Sequence, residues 1–221
     1  MKTTHLEEKR TTLVDRRENL IARFGEAARG RKGTTRLKRE IQRVNEFLEC
    51  LDRIEAETIA TKPEAGLRRY AVSSLFLHES FKKLTADRDE QFFFVTGSEI
   101  EGVLVLDQWA EFAHQKRSMM GVTADTRSTH SLLIKLERFE HRLLAHFHSH
   151  PGNGADATHP SGTDENFQKR LESAGHVAVM AIFSRDGFVR FVRLDNNLEI
   201  EIYGEGAEKH APGIYRLTNL D

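Results

Sequence analysis

Two histidines two residues apart, with a proline directly behind the second, are the first feature of this chain that can do chemistry: His148-Ser149-His150-Pro151, within the run from His146 to Asp164. In an extended strand, side chains two apart share a face, so the imidazoles of His148 and His150 can point at one metal ion before Pro151 stops the strand. Asp164, opening the next helix, can supply a third ligand. Two nitrogens and one carboxylate oxygen leave the fourth tetrahedral position to water, the arrangement that hydrolytic zinc requires. By ligand hardness the set suits zinc, and iron, cobalt or nickel can take the same geometry. His146 shares the strand face of His148 and offers a competing pair, but the proline after His150 favours the later one. His159, in the loop between, reads as an exposed loop histidine rather than a ligand.

These side chains need elements to hold them. Tyr70 to Ser73 suits a short strand, Ser74 to Ala86 has helical spacing, and Gln91 to Val95 is an apolar, β-prone run too short for a core helix. Gly97 and Gly102 bracket a turn, and Val103 to Leu106 begins the returning strand. Ser131 to Arg142 predicts a helix ahead of the histidine strand. Beyond it come a helix from about Asp164 to Ser173, a strand Val177 to Phe183, a turn at Arg185-Asp186-Gly187, then strands Phe188 to Leu194 and Leu198 to Tyr203. The whole predicts an α/β sandwich with a mixed sheet.

Ahead of it the texture is different. Leu6, Leu13, Leu20 and Phe24 recur at helical spacing, as do Leu37, Ile41, Val44, Leu48 and Leu51. Gly30-Arg31-Lys32-Gly33 lies between the runs, so residues 1–60 read as an antiparallel helical hairpin, 61–66 as a linker broken by Pro63, and 67–221 as the chemical domain. The hairpin's charged faces suit a solvated extension, with a partner-gripping or dimerising arm as the other reading.

At 221 residues the chain exceeds the usual length of one domain, in keeping with a core plus an appendage. A formal charge of -1 gives no global pull towards nucleic acid or an anionic membrane, and Glu residues interrupt the basic cluster of Arg29, Arg31, Lys32, Arg36, Lys38 and Arg39. Neither partner is expected. Cys50 is the single cysteine, which excludes an intramolecular disulfide framework and Cys-rich structural zinc. With no apolar leader at the N-terminus and no membrane-length apolar run, a cytoplasmic protein is expected.

His148-Ser149-His150-Pro151 followed by Ser161-Gly162-Thr163-Asp164 resembles the His-Ser/Thr-His-Pro…Ser-x-x-Asp signature of the JAMM (MPN+/JAB) metalloproteases, a family that includes deubiquitinases and bacterial relatives. The resemblance implies an MPN/JAB fold, cytidine-deaminase-like, with a mixed sheet sandwiched by helices and preceded here by the hairpin. It implies that His148, His150 and Asp164 hold one Zn2+ per chain and that Ser161 stabilises the oxyanion. The family's base is a glutamate on an early strand, which Glu90 matches, with Gly97 seven residues on and Phe93 in place of a middle glycine. Glu99, in Glu-x-x-Gly-x-Leu, is a rival. It would put the base on a hairpin turn and leave the 92–95 strand unexplained, so Glu90 ranks first. The loop from His150 to Asp164 is about three residues longer than is common in the family, so residues 156–160 read as an insertion.

The implied activity is a zinc-dependent isopeptidase that removes ubiquitin or a ubiquitin-like modifier from a conjugate or precursor. The expected partners are that modifier, its conjugates and conjugating enzymes of the same operon, in an antiviral setting by analogy. The strand at 92–95 or the loop at 152–160 could border a groove for the modifier's tail. A processing protease for a sulfur-carrier precursor and a non-catalytic MPN scaffold are the alternatives. The intact ligand set, with Ser161, points to an enzyme.

Overall fold

A computed structural model of the chain describes residues 5–30, 33–60, 66–86, 88–110, 115–118, 121–124 and 142–220. The chain divides into two compact units, one of residues 1–64 and 100–103, the other of residues 65–99 and 104–221. Arg31 and Lys32 of the expected hairpin turn, residues 61–65 of the expected linker, and all but Arg142 of the helix expected over Ser131 to Arg142 lie outside the described residues.

In the first unit, α1 (His5–Arg29) and α2 (Thr35–Ala60) lie side by side and antiparallel. Leu6, Leu13 and Leu20, seven apart, are buried, as are Val44, Leu48, Leu51 and Ile54. Arg10 near the start of α1 reaches Asp52 and, at 2.8 Å, Glu55 near the end of α2. Exposed pairs of this kind contribute little, so the apolar seam holds the helices together.

The second unit runs β1 (Arg68–Ser73), α3 (Ser74–Leu84), β2 (Phe92–Ile100), β3 (Val103–Ala110), β4 (Gln115–Ser118), β5 (Gly121–Ala124), β6 (Arg142–Ser149), a 3-10 turn (Ala155–Thr158), α4 (Gly162–Ser173), β7 (Val179–Phe183), β8 (Phe188–Val192), β9 (Leu198–Tyr203), β10 (Ala207–Ala211) and β11 (Ile214–Leu217). Among the described residues strands β4 and β5 pair only with each other, and the other nine form one sheet in the order β10-β11-β8-β7-β6-β2-β3-β1-β9. It is mixed: β6 with β7 and β1 with β9 are parallel, whereas β2 with β6, β7 with β8, β8 with β11 and β10 with β11 are antiparallel.

The expected MPN/JAB, cytidine-deaminase-like sheet sandwiched by helices is corrected by this topology. The sheet is nearly closed and barrel-like. Its two edge strands, β9 and β10, are consecutive in the chain with only residues 204–206 between them, so the sheet must curl until its edges approach. Inside the curl Phe76, Leu77, Phe81 and Leu84 of α3 join Phe93, Val95, Phe147, Ala181, Phe183 and Phe191 in the main core. On the other face α4 covers a smaller patch, where Phe167 and Leu171 meet Phe92, Phe94 and Leu143. Strands β10 and β11 were not expected from the sequence. Ala207-Glu208-Lys209-His210-Ala211 has no apolar alternation because its middle three residues are exposed.

The turn is corrected too. It falls at Glu101 and Gly102 (φ 48° and 79°), and both positive values suit a tight hairpin. Gly97 lies inside β2, where a Cβ would stand 1.8 Å from the Val105 carbonyl oxygen. Strand β2 therefore passes its neighbour too closely for any side chain at that point. Gly97→Ala should destabilise by at least the about 1–3 kcal/mol typical of overpacked cores, because the clash is with backbone. Urea denaturation tests this, and a loss below about 0.5 kcal/mol, within the usual range of neutral surface changes, would refute the close approach.

Candidate metal centre

Strand β6 places the histidines. Its residues pair with β2 on one side (Phe92 opposite His148, Phe94 opposite His146) and with β7 on the other (His148 opposite Ile182). His146 and His148 therefore project from a fully hydrogen-bonded central strand, on the face that α4 covers. His150 follows the strand, tied by its N–H to the Phe183 carbonyl at 2.9 Å.

Helix α4 brings the carboxylate. Ser161 is its N-cap and Asp164 its N3 residue, and the two form a reciprocal capping box: the Ser161 N–H donates to Asp164 Oδ2 (2.7 Å) and the Asp164 N–H donates to Ser161 Oγ (3.3 Å). The Ser161 hydroxyl also donates to Asp164 Oδ2 at 2.6 Å. So held, the carboxylate faces both imidazoles, with Oδ1 3.3 Å from His148 Nε2 and Oδ2 3.4 Å from His150 Nε2. The three donor atoms lie within 4.8 Å of one another, and this group could hold a metal ion.

Two observations test that fit. His148 Nε2 is buried and makes no hydrogen bond, despite the nearby carboxylate. A buried polar atom without a partner costs about 1–3 kcal/mol, a cost that coordination to a cation removes. His150 Nδ1 lies 2.9 Å from the Ala157 carbonyl, which can only accept, so Nδ1 carries a proton and, in the neutral imidazole, the lone pair is on Nε2. The loop between the ligands thus fixes the tautomer a metal needs.

The electrostatics agree. Burial pushes the Asp164 carboxyl up, but the imidazoles of His148 and His150 and the Ser161 hydroxyl together hold it below the usual carboxylate range. For His150, burial acts downward, yet Asp164, the Ala157 carbonyl and Glu90 leave it raised above its ordinary value. Glu90, half-buried just ahead of β2, is raised chiefly by burial, with Asp164 adding to the effect and His150, His148 and Arg185 opposing it. It shares the electrostatic neighbourhood of the ligands. Glu99 does not: it sits near the far end of β2, seven residues past Phe92, or roughly 23 Å of strand, and pairs with Arg142.

His146 is not part of the metal group. Burial drives its pKa down to about 3, so it is neutral, and its Nε2 meets Gln168 Oε1 at 2.9 Å. Gln168 donates onward to the Ala178 carbonyl (2.8 Å) and Glu172 (2.7 Å). Because Gln168 lies one turn beyond Asp164, this bond links the strand of His148 to the helix of Asp164. His159 turns away, 3.4 Å from Arg190 and mostly exposed. Sequence reading missed Gln168 and also Ser149, whose buried hydroxyl donates to the Leu84 carbonyl (2.9 Å) and accepts from the Gln91 N–H (3.2 Å). The i to i+4 step from Asp164 to Gln168 was the one available signal for the first.

The expectation that the 92–95 strand borders a groove by offering an edge is corrected. Strand β2 is internal, between β6 and β3, so its main-chain groups are already taken. Of the two elements considered, the 152–160 loop is the one outside the sheet.

No protein-family model and no curated protein matches the chain. Among solved structures it is similar to protein DSY2949 from Desulfitobacterium hafniense, determined in solution, at 14% identity over 60% of this chain and 93% of that one, with a TM-score of 0.40. A likeness that slight assigns neither a family nor an activity. Among the described residues no helix is long and apolar enough to cross a membrane.

Metal binding should depend on pH with a definite sign. The ion needs His150 deprotonated at Nε2, and its raised pKa favours the proton, so affinity is full above that pKa and falls as pH drops through it. The fall should begin at a higher pH than an ordinary histidine would give, which competition with a chromophoric chelator across about pH 5 to 8 will read. A flat profile would refute the ligand role. His150→Ala should abolish binding, whereas His159→Ala should leave it unchanged.

Proposed function

We propose that the chain is a zinc-dependent isopeptidase of the JAMM type, removing a ubiquitin-like modifier from a lysine conjugate or a precursor in a cytoplasmic setting. The supporting observation is that one neighbourhood contains the His148, His150 and Asp164 donors and a half-buried carboxyl, Glu90, whose pKa is raised. The reading rests on this site and on the resemblance of its motif to that family, not on the fold.

Zinc suits the donor types, two imidazole nitrogens and one carboxylate, whose ligand atoms lie within 4.8 Å of one another. Zinc there would supply a Lewis acid and a water acidified to a pKa near about 7. The chain's own groups do the rest. Glu90, whose pKa burial raises, would accept a proton from the attacking water and give it to the departing amine, otherwise a poor leaving group. The Ser161 hydroxyl can donate to the developing oxyanion by turning from Asp164 Oδ2, which keeps the Ser161 main-chain N–H.

Purified protein should carry one zinc per chain by elemental analysis, and a chelator should abolish hydrolysis of a modifier joined through lysine to a reporter. Glu90→Gln should keep its zinc and lose turnover by at least about 10²-fold, the lower limit for general acid–base catalysis, while Glu99→Gln stays active. Mass spectrometry should place the cut after the modifier's last residue. Scattered cleavage of unfolded proteins would replace this reading with a general peptidase, and cutting only a linear fusion would favour precursor trimming. Zinc without hydrolysis of either would leave a scaffold.

A further inference from the structure

We infer that Arg185 is a positioning residue for the general base: one residue in the turn between β7 and β8 fixes the segment leading to Glu90 with its guanidinium and the loop following His150 with its main chain. The inference rests on the reading of Glu90 as the base.

Glu90 lies in no regular element. It stands between the end of α3 and the start of β2, so no ladder or helix repeat sets its position. Downstream, the Gln91 main chain is held to Ser149 by two bonds, its carbonyl accepting from the Ser149 N–H (3.1 Å) and its N–H donating to the Ser149 side-chain Oγ (3.2 Å). Upstream, Arg185 supplies the hold. Its Nη1 donates to the Thr85 carbonyl (3.3 Å), and its Nη2 donates to the carbonyls of Arg88 (2.9 Å) and Asp89 (3.3 Å).

Three carbonyls across five residues are gathered by one planar fork, a geometry that an ammonium group cannot reproduce. The same residue's N–H donates to the Gly152 carbonyl at 2.9 Å, two residues past the ligand His150. Its neighbour Asp186 extends that hold by accepting from the Gly154 N–H at 2.7 Å. Arg185 therefore belongs to two fastenings, one on the side of the base and one on the side of the ligands. A base displaced by about 1 Å can cost on the order of 10²-fold in rate, so this link has leverage on turnover without touching a reacting atom.

Two readouts on zinc-loaded, full-length protein test the inference. Amide hydrogen exchange in Arg185→Ala should rise at least tenfold across residues 84–91, including the Gln91 N–H, while residues 143–148 and the zinc content stay as in the parent. Unchanged exchange across 84–91 overturns the proposal. That readout needs no substrate, so it stands even if no peptidase activity exists, in which case the proposed function has failed separately. Where activity is present, Arg185→Ala should lower kcat at least tenfold with KM within twofold, and Arg185→Lys, which reaches fewer carbonyls, should recover part. In a Glu90→Gln background, Arg185→Ala should cost nothing further, because its effect passes through Glu90. Additive losses overturn it. Should Arg185→Ala fail to fold, Arg185→Lys serves in both readouts with smaller changes of the same sign, and no change in either overturns the inference.

Discussion

The Asp164 carboxylate belongs to a helix start and to a group that could hold a metal ion at the same time. As N3 of α4 it answers the exposed N–H of Ser161, and the positive end of the helix favours its negative charge. The same placement sets its two oxygens against the two imidazoles. Capping is thus a local, sequence-coded way to fix a ligand that must otherwise be aimed from fourteen residues away. The loop from Pro151 to Pro160 only has to deliver the cap, and it is pinned on the way: the Ala157 carbonyl holds His150, and Arg190 reaches Thr158 and the Ala155 carbonyl.

Beside His148 lies a layer of buried polar groups that are costly where unpaired. Gln168 matches part of it: its oxygen faces His146, and its two N–H groups find Ala178 and Glu172, while His146 Nδ1 makes no hydrogen bond. Ser149, wholly buried between the two ligand histidines, joins the end of α3 to the start of β2 through its hydroxyl. The face of β6 with aromatic residues in the core and the face with imidazoles therefore differ in kind. One is held by apolar packing around α3, the other by a smaller apolar cluster under α4 together with hydrogen bonds that have directional demands.

What could be read in the sequence was what is local. The spacing of His148 and His150, the stop at Pro151 and the cap formed by Ser161 and Asp164 need only neighbouring residues, and the structure brings these side chains together. The helix from Ser74 and the strands from Phe92, Val103 and Leu198 also follow local patterns. The curl of the sheet was not legible, because it depends on which strand meets which, and the charged β10 carries no apolar alternation. Glu90 ranks above Glu99 from the sequence alone, but the register of β2 against β6, which puts Phe92 opposite His148 and Gly97 opposite Arg142, was not legible there. Gln168 stayed hidden because a buried glutamine and an exposed one look alike until the helix is docked.

The parallel pairing of β1 with β9 joins Arg68 to Leu198 and Ser73 to Tyr203, the two ends of a long stretch of chain. Contacts so distant in sequence slow folding, because the chain must be gathered before they reward it. During synthesis β1 leaves the ribosome long before its partner exists, and its Tyr70-Ala71-Val72, buried in the finished molecule, stays an open strand edge meanwhile. His148, His150 and Asp164 emerge within that interval. The nascent chain therefore carries this candidate metal group before the strand that pairs with β1, so an ion captured early would bind a scaffold whose β1 edge is still open.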